Sequence, residues 1–393
     1  MSPFSKCLKY IYFYPSKLIL FLNNPNIGVD WRIFERMIIR ELKLKLTKKQ
    51  EAELERWLFH LTSIHNWAIR KIELNAQDKI YFDKLDFRNI LVEHSKKLEL
   101  PSHVIQGMLV QVWLSWQRCF KKISKKPHFK GRRNKLNSIS IPDPIPAIEN
   151  NLVRIPLLGK VRFFKQDIPG GNIKCGRIIR RASGWYLILI IDTVHKFEVK
   201  QNAPVVGIDT GFHSLLTLSD GTKFENPREL RLGAERLAQA QRGRNRLLSS
   251  KIQERQANRR KDRNHKISRK LVENYSIIYI TNDNLKGQQK KFGKSIQEAS
   301  IGNLIKMIKY KSAVHADRKI ILINSNYTTM ICSSCGAKTG PTGFSGLAVR
   351  QWECQACEAY HDRDINAAKN VLKVGLGYNL KVPVMEQLTG III

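Results

Sequence analysis

No apolar run in this chain approaches the roughly 20 residues that a membrane-spanning helix needs; the most apolar early stretch, 18–22, is only five residues long. A secretory signal peptide is not expected either, because Lys6, Lys9 and Lys17 interrupt residues 1–22 and no small-residue cleavage site follows. Acidic residues are scarce: 33 Asp and Glu stand against 68 Lys and Arg, a formal net charge of +35. Such an excess repels itself unless a polyanion neutralises it, so nucleic acid is the expected partner and a membrane surface is not. Cysteine is sparse too. Of seven, four form two close pairs, while Cys7, Cys119 and Cys175 are scattered. That pattern argues against a secreted disulfide framework and for a metal site in a reducing cytosol.

What is present suffices for two or three domains: 393 residues with 42% hydrophobic content. Residues 1–36 are aromatic-rich without a clear period and read as an N-terminal extension. The alternation of Leu42, Leu44 and Leu46 with Glu41, Lys43 and Lys45 predicts a half-exposed strand. Thr47-Lys-Lys-Gln50 then has the form of a capping box opening a helix with Leu54, Trp57, Leu58, Leu61, Ile64, Ala68 and Ile72 on one face. His60 and His65 lie in that helix with no ligand partner one turn away, and read as packed or solvated. Two more helical stretches follow, near 82–98 and after Pro101, with Trp113 and Trp116 as core residues.

Between Lys121 and Lys135 the chain carries eight Lys and Arg and no acid, among them Lys125, Lys126, Lys130, Arg132 and Arg133, which predicts contact with a phosphate backbone. Residues 138–200 read as short strands separated by Pro and Gly turns, able to close a small β-barrel with the 37–46 strand. A long helical stretch near 227–274 holds twelve Lys and Arg against two acids between Arg242 and Lys270. Its Arg242, Arg244, Arg246, Arg259 and Arg260 are candidate nucleic-acid contacts.

Three segments carry the chemistry. Val205-Val-Gly-Ile-Asp-Thr-Gly211 leads a β-branched strand into one carboxylate, Asp209, which reads as a turn residue unless other acids converge on it. Cys332, Cys335, Cys354 and Cys357 form two C-x2-C pairs separated by 18 residues. That spacing places four thiolates on one tetrahedral zinc ion, a closed and therefore structural shell, with free thiols or a redox pair as the alternatives. Directly after them, His361-Asp-Arg-Asp-Ile-Asn-Ala-Ala-Lys-Asn370 puts Asp362 and Asp364 at a helix start, as caps or as metal ligands.

Gly207-Ile-Asp-Thr-Gly211, the Tyr327-Thr-Thr329 stretch before the first cysteine pair, and Asp362-Arg-Asp-Ile-Asn-Ala-Ala-Lys-Asn370 together resemble TnpB, the transposon-encoded RNA-guided nuclease ancestral to type V CRISPR effectors. The resemblance spans about residue 37 to the C-terminus. It implies an α+β multidomain fold: a β-barrel (37–46 and 138–200) with a helical recognition insertion (47–137), then an RNase H-like RuvC α/β domain (201–330 and 358–380) interrupted by a zinc ribbon (331–357), with a tail at 381–393. It also implies a guide RNA from a transposon end, a double-stranded DNA target with an adjacent motif, and two Mg2+ held by Asp209, a middle Glu and Asp364.

The middle Glu is missing. Where relatives read Ile-Glu-Asp-Leu-Asn, this chain reads Ile280-Thr-Asn-Asp-Asn284, placing Thr281 at the Glu position. Relatives that draw their Glu from before the first cysteine pair have it where this chain has Ser325. Asp283 is a possible substitute, displaced by roughly 6–7 Å along the strand from Thr281. The expected function is therefore RNA-guided DNA binding with impaired cleavage, akin to the TnpB-like nuclease-dead repressors and acting by occupying a promoter. An active RNA-guided DNA endonuclease completed by Asp283 is the alternative.

Overall fold

The computed structural model describes residues 37–380, apart from 79, 81–83, 96–97, 132–133, 147, 194–196, 343–345, 347 and 379. The expected extension at 1–36 and the 381–393 tail lie outside the described residues. The chain divides between residues 195 and 196 into two compact units.

The first unit opens with β1 (Met37–Lys45), in which the predicted alternation buries Leu42 and Leu44. The capping box is realised: Thr47 Oγ1 accepts from the Gln50 amide and Gln50 Oε1 from the Thr47 amide, both at 3.2 Å, and α1 (Lys48–Gln77) follows. Its predicted apolar face is buried, Trp57 and Leu61 completely. After α2 (Lys84–Ser95) and α3 (Ser102–Phe120) come strands β2 (Ser138–Ile141), β3 (Leu152–Ile155), β4 (Gly159–Phe163), β5 (Asn172–Arg181) and β6 (Gly184–Asp192). They form one antiparallel sheet in the order β2-β5-β6-β1-β4-β3. Among the described residues no ladder joins the outer strands β2 and β3, so hydrogen bonds do not close this sheet into a ring. The helices and the sheet share a single core in which Trp116 is buried and Trp113 packs at the margin.

The second unit holds a five-stranded sheet built from β7 (Val206–Thr210), β8 (Ser214–Leu218), β9 (Lys223–Glu225), β10 (Ile277–Thr281) and β11 (Lys319–Ile323), ordered β11-β10-β7-β8-β9. The central strand β7 runs parallel to β10 and antiparallel to β8. The long helical stretch expected near 227–274 is divided into α4 (Glu229–Leu232), α5 (Ala234–Arg242) and α6 (Arg246–Asn274). It breaks at Gly233 and again after Arg242, where Arg244 takes a left-handed backbone conformation. Helices α7 (Leu285–Ala299) and α8 (Ile301–Ser312) precede β11, and the short hairpin β12 (Gln351–Glu353) and β13 (Tyr360–Asp362) leads into α9 (Arg363–Gly375).

Strand periodicity decides what each face meets. Val206, Ile208, Ile278 and Ile280 join Ile267, Leu271, Leu304 and Ile308 of α6 and α8 in one core. Tyr279 and Ile323 face the other way, onto Val371 and Leu372 of α9. Asp209 and Thr281 therefore belong to the face that α9 covers.

Candidate metal centres

Gly207 lets α9 lie directly on β7. A Cβ there would stand 2.3 Å from the Ala368 carbonyl oxygen and 2.5 Å from the Leu372 nitrogen, closer than any side chain allows. The first turn of α9 consequently comes over the end of β7, and its two acids divide the work. Asp362 is the N-cap: Oδ1 accepts from the amides of Asp364 (3.1 Å) and Ile365 (3.0 Å), while Oδ2 takes the Lys223 ammonium at 2.7 Å. Burial opposes its charge, but Lys223 and those amides hold its pKa below the usual carboxylate range. Asp364 is free of that duty and pairs loosely with Arg363 (3.3 Å) and Arg350 (3.7 Å).

Asp209 is densely surrounded by protein although it keeps some accessible surface. Burial raises its pKa well above the ordinary value; the Asp364 and Asp283 carboxylates add to the rise, and Arg363 with the Thr210 amide only partly offsets it. The Asp364 and Asp283 carboxylates thus both act on Asp209, Asp283 being the substitute that the sequence offers for the missing Glu. Carboxylate oxygens are the donors a hard divalent ion takes, but among the described residues only the four cysteines gather as a metal-ligand group.

Thr281 ends β10 beside Asp209, since Ile280 pairs with Ile208 in the parallel ladder. It is completely buried. Its hydroxyl accepts from the Thr210 amide at 3.2 Å and lies 2.9 Å from the Thr210 hydroxyl, which donates to Asp283 Oδ2 at 2.8 Å. The Thr210 side chain thereby draws in an acid that strand spacing alone leaves displaced. Ser325 sits two residues past β11, and its carbonyl accepts from the Thr328 amide and hydroxyl. It makes no hydrogen bond to the acids among the described residues.

The four cysteine sulfurs lie within 4.8 Å of one another, with Cys332 to Cys357 at 3.7 Å and Cys335 to Cys354 at 3.6 Å. A tetrahedron with Zn–S bonds of about 2.3 Å has edges of roughly 3.8 Å, so the set fits zinc. Both pairs make the same turn. Cys332 bonds Ala337 through its amide and Gly336 through its carbonyl, as Cys354 does Ala359 and Glu358. Burial works against the Cys354 thiolate, yet the Thr339 hydroxyl at 3.1 Å and the amides of Ala356 and Cys357 outweigh it and lower its pKa to about 6. The sequence reading missed His361, whose Nε2 stands 3.0 Å from Cys332 Sγ. Its signal was position alone, four residues after the last cysteine.

Of the basic residues, Lys125 is exposed, and Lys126 pairs with Glu73 at 2.8 Å. The Lys130 backbone is held at both ends by Asn66, which accepts from its amide (2.7 Å) and donates to its carbonyl (2.8 Å). Arg132 and Arg133 lie outside the described residues. Arg242, Arg244, Arg246 and Arg259 are exposed on the second unit, whereas Arg260 is half-buried in the field of Glu229 and Glu298. No helix among the described residues is long and apolar enough to cross a membrane.

Residues 302–371 match the family model described as "Cas12f1-like, TNB domain", and residues 191–290 match OrfB_IS605, described as "Probable transposase". A Streptomyces pristinaespiralis protein named "Putative RNA-guided DNA endonuclease" is 29% identical over 297 residues, covering 71% of this chain and 72% of that one. "Putative RNA-guided DNA endonuclease InsQ" of Escherichia coli (strain K12) is 23% identical over 378 residues, 87% of this chain and 93% of InsQ. Among solved structures, the "Cryo-EM structure of the Cas12f1-sgRNA-target DNA complex" covers 85% of this chain and 98% of its own, at 14% identity and a TM-score of 0.34, too low to establish a common fold.

Proposed function

We infer that this chain, which belongs to the TnpB/OrfB family, is an RNA-guided DNA-binding protein whose nuclease centre is impaired, and that it acts by holding an R-loop on its target. The observation that carries this is Thr281: a fully buried hydroxyl, committed to Thr210, stands beside Asp209 where relatives carry the middle Glu. The sheet order β9-β8-β7-β10-β11, with antiparallel first pairs and parallel last ones, supports an RNase H-like RuvC domain over 201–330 and 358–380. Asp209 and Asp364, with Asp283 beside them, would hold Mg2+, which when bound stabilises the charge of attacking and leaving oxygens. Paired ions need closely placed shared ligands, and a short Asp tethered to Thr210 is a poor replacement for Glu at 281.

Guide pairing would supply the sequence specificity, with the guide taken from a transposon end. The 37–46 and 138–200 sheet and the 47–137 helices would read the adjacent motif, and the 331–357 ribbon would be a structural zinc module. Occupancy without cutting suits repression of a promoter. The alternative, an active guided endonuclease, is favoured by one observation: Asp283 is near enough to raise the Asp209 pKa. Plasmid cleavage with guide and Mg2+ separates the two. No cutting, together with guide-matched binding that weakens steeply with salt, is expected. Clean cuts abolished by Asp209→Ala would overturn the proposal, as would equal affinity for matched and mismatched guides.

A further inference from the structure

His361 is the middle residue of β13 and is 7% exposed. It pairs across the hairpin with Trp352, the two rings tilted 37° with centroids 4.8 Å apart. That packing fixes the imidazole so that Nε2 reaches the Cys332 sulfur at 3.0 Å. The next residue, Asp362, caps α9, and Asp364 is in the first helical turn. From its side, α9 grips the same cysteine turn through backbone groups alone. Asn366 Oδ1 accepts the Ser333 amide at 2.7 Å, the Asn366 and Asn370 amides donate to the Ile331 carbonyl at 2.8 and 2.6 Å, and Lys373 donates to the Ser333 carbonyl at 2.6 Å. His361 differs from these groups because it addresses the ligand atom itself.

We propose that His361 is a positioning residue for the zinc centre: it donates its Nε2–H to the Cys332 thiolate and ties the metal's ligand shell to the β13–α9 junction that carries Asp364. Four thiolates around one Zn2+ leave two excess negative charges, and a buried N–H aimed at one sulfur disperses part of that charge and fixes the sulfur's direction. Groups that orient metal ligands in this way typically contribute 10–100-fold to metal affinity. The inference rests on zinc occupancy of the four cysteines.

The test uses the full-length protein, with zinc content measured first and about one ion per chain expected. Two variants then separate donation from packing. His361→Phe keeps a ring against Trp352 without the donor; His361→Gln keeps an N–H without the ring. Competition with a chelator should show zinc affinity 10–100-fold lower in His361→Phe and nearer wild type in His361→Gln. In the Co2+-substituted protein the sulfur-to-metal charge-transfer band of His361→Phe should move to lower energy. Wild-type affinity and an unchanged band in His361→Phe would overturn the proposal. Equal loss of zinc and of far-UV circular dichroism in both variants would also overturn it, as the mark of a packing role. A wild-type chain that takes up no zinc refutes the zinc reading itself and the proposal with it, an outcome distinct from the other two.

Discussion

The hydroxyls of Thr210 and Thr281 lie 2.9 Å apart, and through that contact the end of β7 is joined to the end of β10 without any charge. In a site meant to hold two metal ions this is where a third carboxylate would be needed. The two threonines convert it into a closed chain of hydrogen bonds that ends on Asp283.

Replacing Thr281 with Glu should restore guided, Mg2+-dependent plasmid cleavage, and adding Asp209→Ala should remove it again. Because Thr281 is completely buried and bonded to Thr210, the variant should lose about 1–3 kcal/mol in a denaturant titration without metal, and regain part of it with Mg2+. Intact guided binding without cleavage in Thr281→Glu would contradict the assignment of position 281 as the missing ligand.

Asp209 makes stability depend on pH. Its pKa is raised in the folded state, so the native protein binds more protons than the unfolded one. The destabilisation is absent below the unfolded carboxylate pKa, grows as pH rises through the raised native value, and is fully present above it. Asp209→Asn should therefore melt a few degrees higher than wild type at neutral pH without added Mg2+, since about 1 kcal/mol moves a domain of this size by roughly 2–4 °C. It should melt no higher than wild type at pH 3. Mg2+ should stabilise wild type and not the variant. A neutral-pH melting point unchanged by the substitution would contradict this.

Arg263 contacts Glu229 at 2.7 Å where both side chains are almost fully buried, and its other guanidinium nitrogen donates to the Ala299 carbonyl at 3.0 Å. Arg263→Ala should cost about 3–5 kcal/mol, because it leaves a buried carboxylate without its direct partner. A loss below 1 kcal/mol on urea unfolding would mean that the half-buried Arg260 compensates.

Zinc removal should unfold the 331–357 module and free the amides of α9 for hydrogen exchange, because Asn366, Asn370 and Lys373 hold backbone groups of residues 331–333. Unchanged exchange in α9 after verified metal loss would refute this.

Much of the fold was legible because it is local. The Thr47 and Gln50 box, the apolar face of α1 and the alternation of β1 follow from spacing within a few residues, and all three are realised. The breaks in the 227–274 stretch were less so. Gly233 and Gly243 were visible in the sequence, but helix interiors tolerate glycine, and the left-handed turn at Arg244 has no sequence signature of its own. At the acidic site the sequence could nominate residues without apportioning them. Asp362, the cap, takes the partner of its second oxygen from Lys223, 139 residues earlier. The approach of Asp283 depends on Thr210, 73 residues earlier.

The Asn66 clamp on Lys130 bears on how the basic segment meets its partner. One amide side chain satisfies both backbone groups of Lys130, much as a neighbouring strand would. Fixing the backbone of one residue costs about 1–2 kcal/mol, and here that ordering accompanies folding. The Lys130 backbone is thereby pre-organised, so a phosphate chain bound there, as the charge run predicts, would leave more of its attraction to appear as affinity.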